Sequence, residues 1–299
     1  MNLYSQISGN KVRTYLIFFI FFAFASFVLY FIGKSLGYSG YALFVFAFVI
    51  SSSTSFLSYF FSDKIVLAMH RATPADRQLH FDFYTVAENL AIASGLPKPK
   101  LYVIEDIAPN AFATGRDPKH AIIVATTGLL EILDRRELEG VIAHELSHVK
   151  NYDILVMTVA SVMVGFLVYL TDFFMRSLWF RNSDRENNNG SALIMFLSVI
   201  LSLLTPLVAT LLQLAISRRR EFLADASGAY LTRYPEGLAQ ALEKIAASPY
   251  SLKTATNATA HLFIESPFKA DSAKKSSWLV NLFSTHPPIA ERVKKLREM

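Results

Sequence analysis

Residues 141–171 read VIAHELSHVKNYDILVMTVASVMVGFLVYLT. The first part of this stretch sets His144 and His148 four residues apart around Glu145. The second part is an uncharged run, Ile154–Thr171, bracketed by Asp153 and Asp172. Side chains four apart on an α-helix share a face one turn apart, so both imidazoles can reach one ion. Glu145 projects to the side, where it can reach a water on that ion rather than join the same ligand set. Two zinc ligands and a general base are what the His-Glu-x-x-His spacing supplies. Val141, Ile142, Ala143, Leu146 and Val149 interleave with these residues, which makes the helix half-buried. The same spelling also arises by chance, or on a solvated helix with incidental histidines.

The run that follows the motif has the composition of a membrane span, and it has company. A crossing needs about 20 largely apolar residues. Thr14–Gly33 is Phe-rich and uncharged between Arg13 and Lys34, and Ser35–Ser62 follows it up to Asp63. A fourth run, from about Ser191 to Ser217, ends at Arg218, Arg219 and Arg220. The chain of 299 residues is 53% hydrophobic and only 18% charged, too apolar for an ordinary soluble domain, and the excess lies in these four runs. A cleaved signal peptide is the alternative for the first run, but its length and the second span close behind it argue for an uncleaved helix. Buried core helices are the alternative for the third and fourth.

The net charge of +5 is carried mostly by lysines and arginines flanking apolar runs, which fits anionic lipid better than nucleic acid. Lys11, Arg13, Lys64, Arg71, Lys150 and Arg218–Arg220 fall on one side of the four spans. Basic residues close to span ends mark the cytosolic side, so the termini and both large polar segments are expected there. With no cysteine in the chain, thiolate zinc sites and a Cys nucleophile are excluded, and a metal must use His, carboxylate or water.

Within the polar segments, Thr73–Gly95 reads as a helix, with Pro74 at its start and Gly95-Leu96-Pro97 at its stop. Leu101–Ile104, Ala111–Thr114 and Ala121–Ala125 read as strands, the last two joined by the turn-rich Gly115–His120. A small antiparallel sheet is the expectation. Asp134 should open the helix that carries the motif.

Catalytic zinc usually takes three protein ligands and a water, so a third is needed from His, Asp or Glu. Glu221, immediately past the fourth run, is the leading candidate. It emerges at the same membrane face as the His144 helix. Asp225, one turn on, is placed to accept the free ring N–H of a zinc-bound histidine. Surface ion pairing among Arg220, Glu221 and Asp225 is the plain alternative.

Four stretches, in order, make the chain resemble the HtpX family of bacterial membrane-bound gluzincin metalloproteases, relatives of the eukaryotic CAAX prenyl protease. They are Asn110–Gly115, Val141–Asp153, Ser217–Gly228, and Thr285-His286-Pro287-Pro288 with Arg292. The resemblance implies His144, His148 and Glu221 as ligands of one Zn2+ per chain, Glu145 as general base, and Asp225 behind the ligands. It implies His286 near the oxyanion of the tetrahedral intermediate, and Asn110, Ala111, Phe112 and Ala113 as an edge strand for substrate backbone. It further implies a bacterial cytoplasmic-membrane protease of misfolded or damaged membrane proteins, acting in stress response and protein quality control. The fold expected is a mainly α integral membrane protein, with four transmembrane helices and a cytosolic α+β zincin-like domain. Its parts are a transmembrane hairpin (1–63), a first catalytic part (64–153), a second hairpin (154–217) and a second catalytic part (218–299). The partners expected are polypeptides and the lipid bilayer, not nucleic acid.

His70, His80, His120 and His261 match no motif and read as ordinary surface or core residues. Residues 251–277 read as a loop contributing no motif, and the Asn-rich Ser183–Gly190 is uninformative. Two other functions compete. One is prenyl-peptide processing, for which four spans are too few to enclose a chamber. The other is a catalytically silent zinc-binding membrane scaffold, against which Glu145 argues.

Overall fold

The computed structural model describes residues 3–35, 40–166, 218–256, 258–268 and 287–299. The expected fourth run and His286 lie outside these residues. So do the later part of the third run and the loop 183–190.

Two long helices, α1 (Leu3–Ser35) and α2 (Tyr41–Met69), lead the chain. Both are long and apolar enough to cross a membrane. Each overruns its expected span, α1 beginning before Lys11 and α2 continuing past Asp63 and Lys64. Their buried faces are narrow and built largely from small or polar residues, Asn10, Thr14 and Ala25 on α1, and Ala47, Ser51, Ser58 and Ser62 on α2. Small residues let helices approach closely where water supplies no hydrophobic drive. Phe19, Phe44, Phe46, Phe48 and Phe56 point outward, as a lipid-facing surface requires.

A four-stranded sheet follows: β1 (Thr73–Pro74), β2 (Lys100–Ile104), β3 (Ala111–Thr114) and β4 (Ile122–Thr126), in the order β1-β2-β4-β3. It is mixed, not antiparallel. β4 runs parallel to β2 and antiparallel to β3. The short connection after β2 skips one strand position, and the β3–β4 hairpin folds back into the gap, so local hairpin signals could not reveal the parallel pair.

The helix expected from Thr73 also starts later, as α3 (Phe81–Ser94). Thr73 precedes a proline and is biased to extended backbone, and it pairs with Val103. The Asp76 carboxylate then accepts from the backbone N–H of Gln78 and of Leu79, which fixes a turn ahead of the helix. Gly95 ends α3 in the left-handed conformation, φ 71°.

After β4 come α4 (Thr127–Ile132), α5 (Arg135–Lys150) and α6 (Asp153–Phe166), with α5 and α6 bent by 84° at the break between them. Beyond the undescribed stretch lie α7 (Arg218–Thr232), α8 (Pro235–Ala247) and α9 (Ile289–Arg297). Leu101, Val103, Ile123 and Ala125 face the core that α3, α5, α8 and α9 share. Ile104, Phe112, Ile122 and Val124 face the opposite way, onto Val66, Met157 and Phe263. The sheet is therefore buried on both faces, and β3 forms one of its edges.

Candidate metal centre

α5 is held from its first residue. Asp134 accepts from the N–H of Arg136 and of Glu137, and the Glu137 carboxylate accepts from the Asp134 N–H at 2.7 Å, a reciprocal cap. The helix then runs through the interior, burying His144, Glu145 and His148. α7 lies directly on it. A Cβ added at Gly228 would stand 3.0 Å from the His144 backbone nitrogen, so glycine sets how close the two helices come.

That approach brings Glu221 to the two imidazoles. His144 Nε2 and His148 Nε2 are 3.2 Å apart, and Glu221 carboxylate oxygens lie 3.8 Å from the first and 3.5 Å from the second. The ligating atoms of the three residues all fall within 4.8 Å of one another. Each ring is anchored from behind. His144 Nδ1 meets Asp225 at 2.9 Å, and His148 Nδ1 meets Asp153 at 3.0 Å. An ionised carboxylate only accepts, so each Nδ1 carries a proton and each Nε2 faces inward, where a neutral ring offers its lone pair to a metal. Two lone pairs and a carboxylate converging in a dry space call for a cation.

The electrostatics agree. Burial opposes a charged His148, but Asp153, Glu221 and Glu145 outweigh it and raise its pKa to about 9, so the pocket favours positive charge. Burial lowers His144, partly offset by Asp225. Glu145 is pushed up to about 7, chiefly by burial, while the backbone N–H of Ala113 donates to its carboxylate. These donors, two imidazoles and one carboxylate, fit a metal ion of borderline softness.

Several contributors were missed in the sequence. Asp153 reads there only as a bracket for a span. Arg292 belongs to a resembling motif but carried no role. It is fully buried, donating from Nε and Nη2 to Asp225 at 2.9 and 2.7 Å and from Nη1 to the Ile264 carbonyl at 2.8 Å. The segment around Ile264, inside the stretch read as a featureless loop, lies along the β3 edge. Ile264 N–H donates to the Ala111 carbonyl at 2.9 Å, and the Asn110 amide donates to the Glu265 carbonyl at 3.0 Å. Thr126 N–H pairs with the Asn110 carbonyl, so alternation turns the backbone groups of Ala111 and Ala113 away from β4. Ile264 takes one of those groups and Glu145 another. Phe112 points to the other face of the sheet, where it packs against His70 and Phe263. His70 and His261 are buried, whereas the His120 side chain is exposed.

With this geometry in place, the profile of peptidase family M48 matches residues 78–299. The chain belongs to peptidase family M48. It is 45% identical over 298 residues to a protease HtpX homolog of Dictyoglomus turgidum, covering 99% of this chain and 94% of that relative. Identity is 43% over 297 residues with a protease HtpX homolog of Tropheryma whipplei strain Twist (99% and 98% covered) and 44% over 257 residues with one of Pyrococcus furiosus (85% and 86%). A crystal structure of S. mikatae Ste24p aligns with a TM-score of 0.48 at 23% identity, covering 96% of this chain and 62% of that one. As an M48 peptidase with membrane helices, the protein is a membrane metalloprotease, and its His144, His148 and Glu221 cluster offers a site for the metal.

Proposed function

We propose that the chain is a zinc-dependent endopeptidase in which His144, His148 and Glu221 hold the metal and Glu145 is the general base. The observation that carries this is the convergence of two Nε2 atoms and one carboxylate at 3.2–3.8 Å, with both Nδ1 atoms tied to acids. Zinc, when bound there, would lower the pKa of a water towards about 7 and polarise the scissile carbonyl. Glu145, buried and poised near neutrality, takes the proton of the attacking water and delivers it to the leaving amine. Asp225 and Asp153 keep the two imidazoles in the ligating tautomer. His286 is assigned to the oxyanion, on the strength of the family resemblance.

Substrate backbone is assigned to the β3 edge at Asn110–Ala113, by strand addition that is largely indifferent to side chains. The outward-facing Ala113 carbonyl supports this, while Ile264 and the Asn110 side chain engage both backbone groups of Ala111 and so limit where an incoming strand can begin. That indifference suits misfolded or damaged membrane proteins as substrates, in stress-linked quality control at the bacterial cytoplasmic membrane. We assign four spans with the catalytic parts, 64–153 and 218–299, at the cytosolic face, and membrane hairpins at 1–63 and 154–217. The basic residues at one set of span ends support that orientation.

The test compares wild type with Glu145→Ala in detergent, on casein and on a farnesylated peptide, with bound metal measured in parallel. Casein cleavage that is lost in the variant while zinc stays bound is the expected result. Cleavage confined to the prenylated peptide would move the assignment to prenyl processing. Zinc binding without cleavage of either substrate would leave a silent scaffold.

A further inference from the structure

The elbow between α5 and α6 lies directly beneath His148, and it is pinned from an unexpected place. Tyr152, in that elbow, has φ 60°, the left-handed region that a side chain disfavours, so the turn needs external support. Asn10 of α1, 141 residues from Asn151, supplies it. The Asn10 amide donates one hydrogen to the Asn151 carbonyl at 2.8 Å and the other to Asp153 Oδ1 at 2.7 Å. Its own oxygen accepts from Arg220 Nη1 at 3.2 Å and from Arg13 Nη1 at 3.4 Å. Lys11 lies over the Tyr152 ring, 5.0 Å from its centroid. Asn10 is 2% exposed, and the next turns of the same helix pack Ile17 and Phe21 against α6.

How the Asp153 oxygens are shared is the informative part. Oδ1 takes both the Asn10 amide and Arg220 Nη1, the latter at 3.2 Å, while Oδ2 is left to His148 Nδ1 at 3.0 Å. A lone guanidinium facing this carboxylate could take both oxygens as a fork. With Asn10 beside it on Oδ1, the other oxygen stays aimed at the imidazole. We propose that Asn10 is a positioning residue for the metal centre, an amide from a membrane helix that fixes the elbow and directs Asp153 onto His148. The proposal rests on the reading of His148 as a ligand. It makes α1 part of the catalytic apparatus as well as an anchor.

The test uses the full-length protein in detergent and follows zinc transfer to a chelating dye, together with kcat and KM on casein. Asn10→Ala, and the equal-sized Asn10→Asp, should release zinc at roughly tenfold lower chelator concentration, the low end of what loss of such supporting bonds produces. Both should lower kcat with KM within about twofold. Asp153→Asn should do the same, and combining it with Asn10→Ala should add little, because the two residues act through one contact. Thr14→Val removes a buried hydroxyl on the same face of α1, one that among the described residues bonds only to the Asn10 carbonyl, and should change neither readout.

Wild-type zinc retention in both Asn10 variants would overturn the proposal, as would fully additive losses with Asp153→Asn. Collapse of both Asn10 variants while Thr14→Val stays folded would overturn it too, since Asn10 would then serve the fold rather than the ligand. A wild-type protein that never takes up zinc would instead refute the reading of the metal centre, a result distinct from these.

Discussion

Arg292→Met is the sharpest probe of how the C-terminal helix supports the site. Arg292 is fully buried and engages Asp225 through two nitrogens and the Ile264 carbonyl through a third. Methionine matches much of its length but leaves Asp225 ionised in a dry interior. Breaking one side of a buried ion pair costs about 3–5 kcal/mol. The Ile264 carbonyl loses its donor as well, adding about 1 kcal/mol or more. Taking only about 3 kcal/mol, and about 2–4 °C per kcal/mol for a unit of this size, the thermal midpoint should fall by about 6–12 °C.

The charge balance gives a second reading. Burial raises the Asp225 pKa, but Arg292 and His144 outweigh it and hold it below the usual range. A depressed carboxylate stabilises the fold above its unfolded pKa and loses that contribution as pH falls. Without Arg292 the burial effect has less opposition, so the variant's deficit should be larger at neutral pH than at pH 4. Adding Asp225→Leu removes the stranded charge and should restore part of the midpoint, because an apolar pair can replace a buried ion pair. It should not restore zinc retention, since His144 Nδ1 then has no carboxylate. The assay is circular dichroism melting in detergent, with zinc retention measured on the same samples. A single variant melting within about 2 °C of wild type, or a double variant no more stable than the single, would refute this reasoning.

Three further outcomes are expected. His70 is buried between the Phe112 and Phe263 rings, and burial lowers its pKa to about 4, so folding excludes the imidazolium. Stability is then intact above the unfolded value of 6.5 and lost as pH falls towards 4, by about 3 kcal/mol in all; His70→Leu should flatten that part of a midpoint-against-pH curve. Gly140→Ala would place a Cβ 2.6 Å from the Leu238 backbone nitrogen. The helix-propensity gain of about 1 kcal/mol is outweighed by overpacking against backbone that cannot yield, about 1–3 kcal/mol or more, so melting should show a lower midpoint. Asp134→Ala removes the cap of α5 and should cost about 1 kcal/mol in the same assay, with kcat/KM unchanged because the cap lies more than two turns from Glu145.

What could be read in the sequence was what local periodicity encodes. The spacing of His144 and His148, the Asp134 start of α5 and the Gly95 stop of α3 are properties of one turn of chain and need no partner. The apolar runs that became α1 and α2 declared themselves by length and composition. Thr73–Pro74 was misread because proline at a helix start and proline in an extended pair look alike until the partner strand is known. The parallel pairing of β2 and β4 was hidden for a related reason: each strand is legible, but the order in which they line up is a long-range choice.

The same distinction separates the parts of the site. The two histidines share a helix, while Glu221 was reachable because the hydropathy pattern led to the expectation that two runs of chain emerge at one membrane face. Nothing of the kind marks Asp153, Asn10 or Arg292. Each is a common polar residue tied to the site by partners far along the chain, apart from the Asp153–His148 contact five residues away, and that contact exists only because an 84° elbow turns the chain back under the ring. Read as a straight helix running into a span, the same sequence sends Asp153 away from His148. The bend is therefore what converts a span-bordering acid into support for a ligand. Because its turn includes a strained Tyr152 held from α1, the precision of the metal centre depends on how the membrane helices pack.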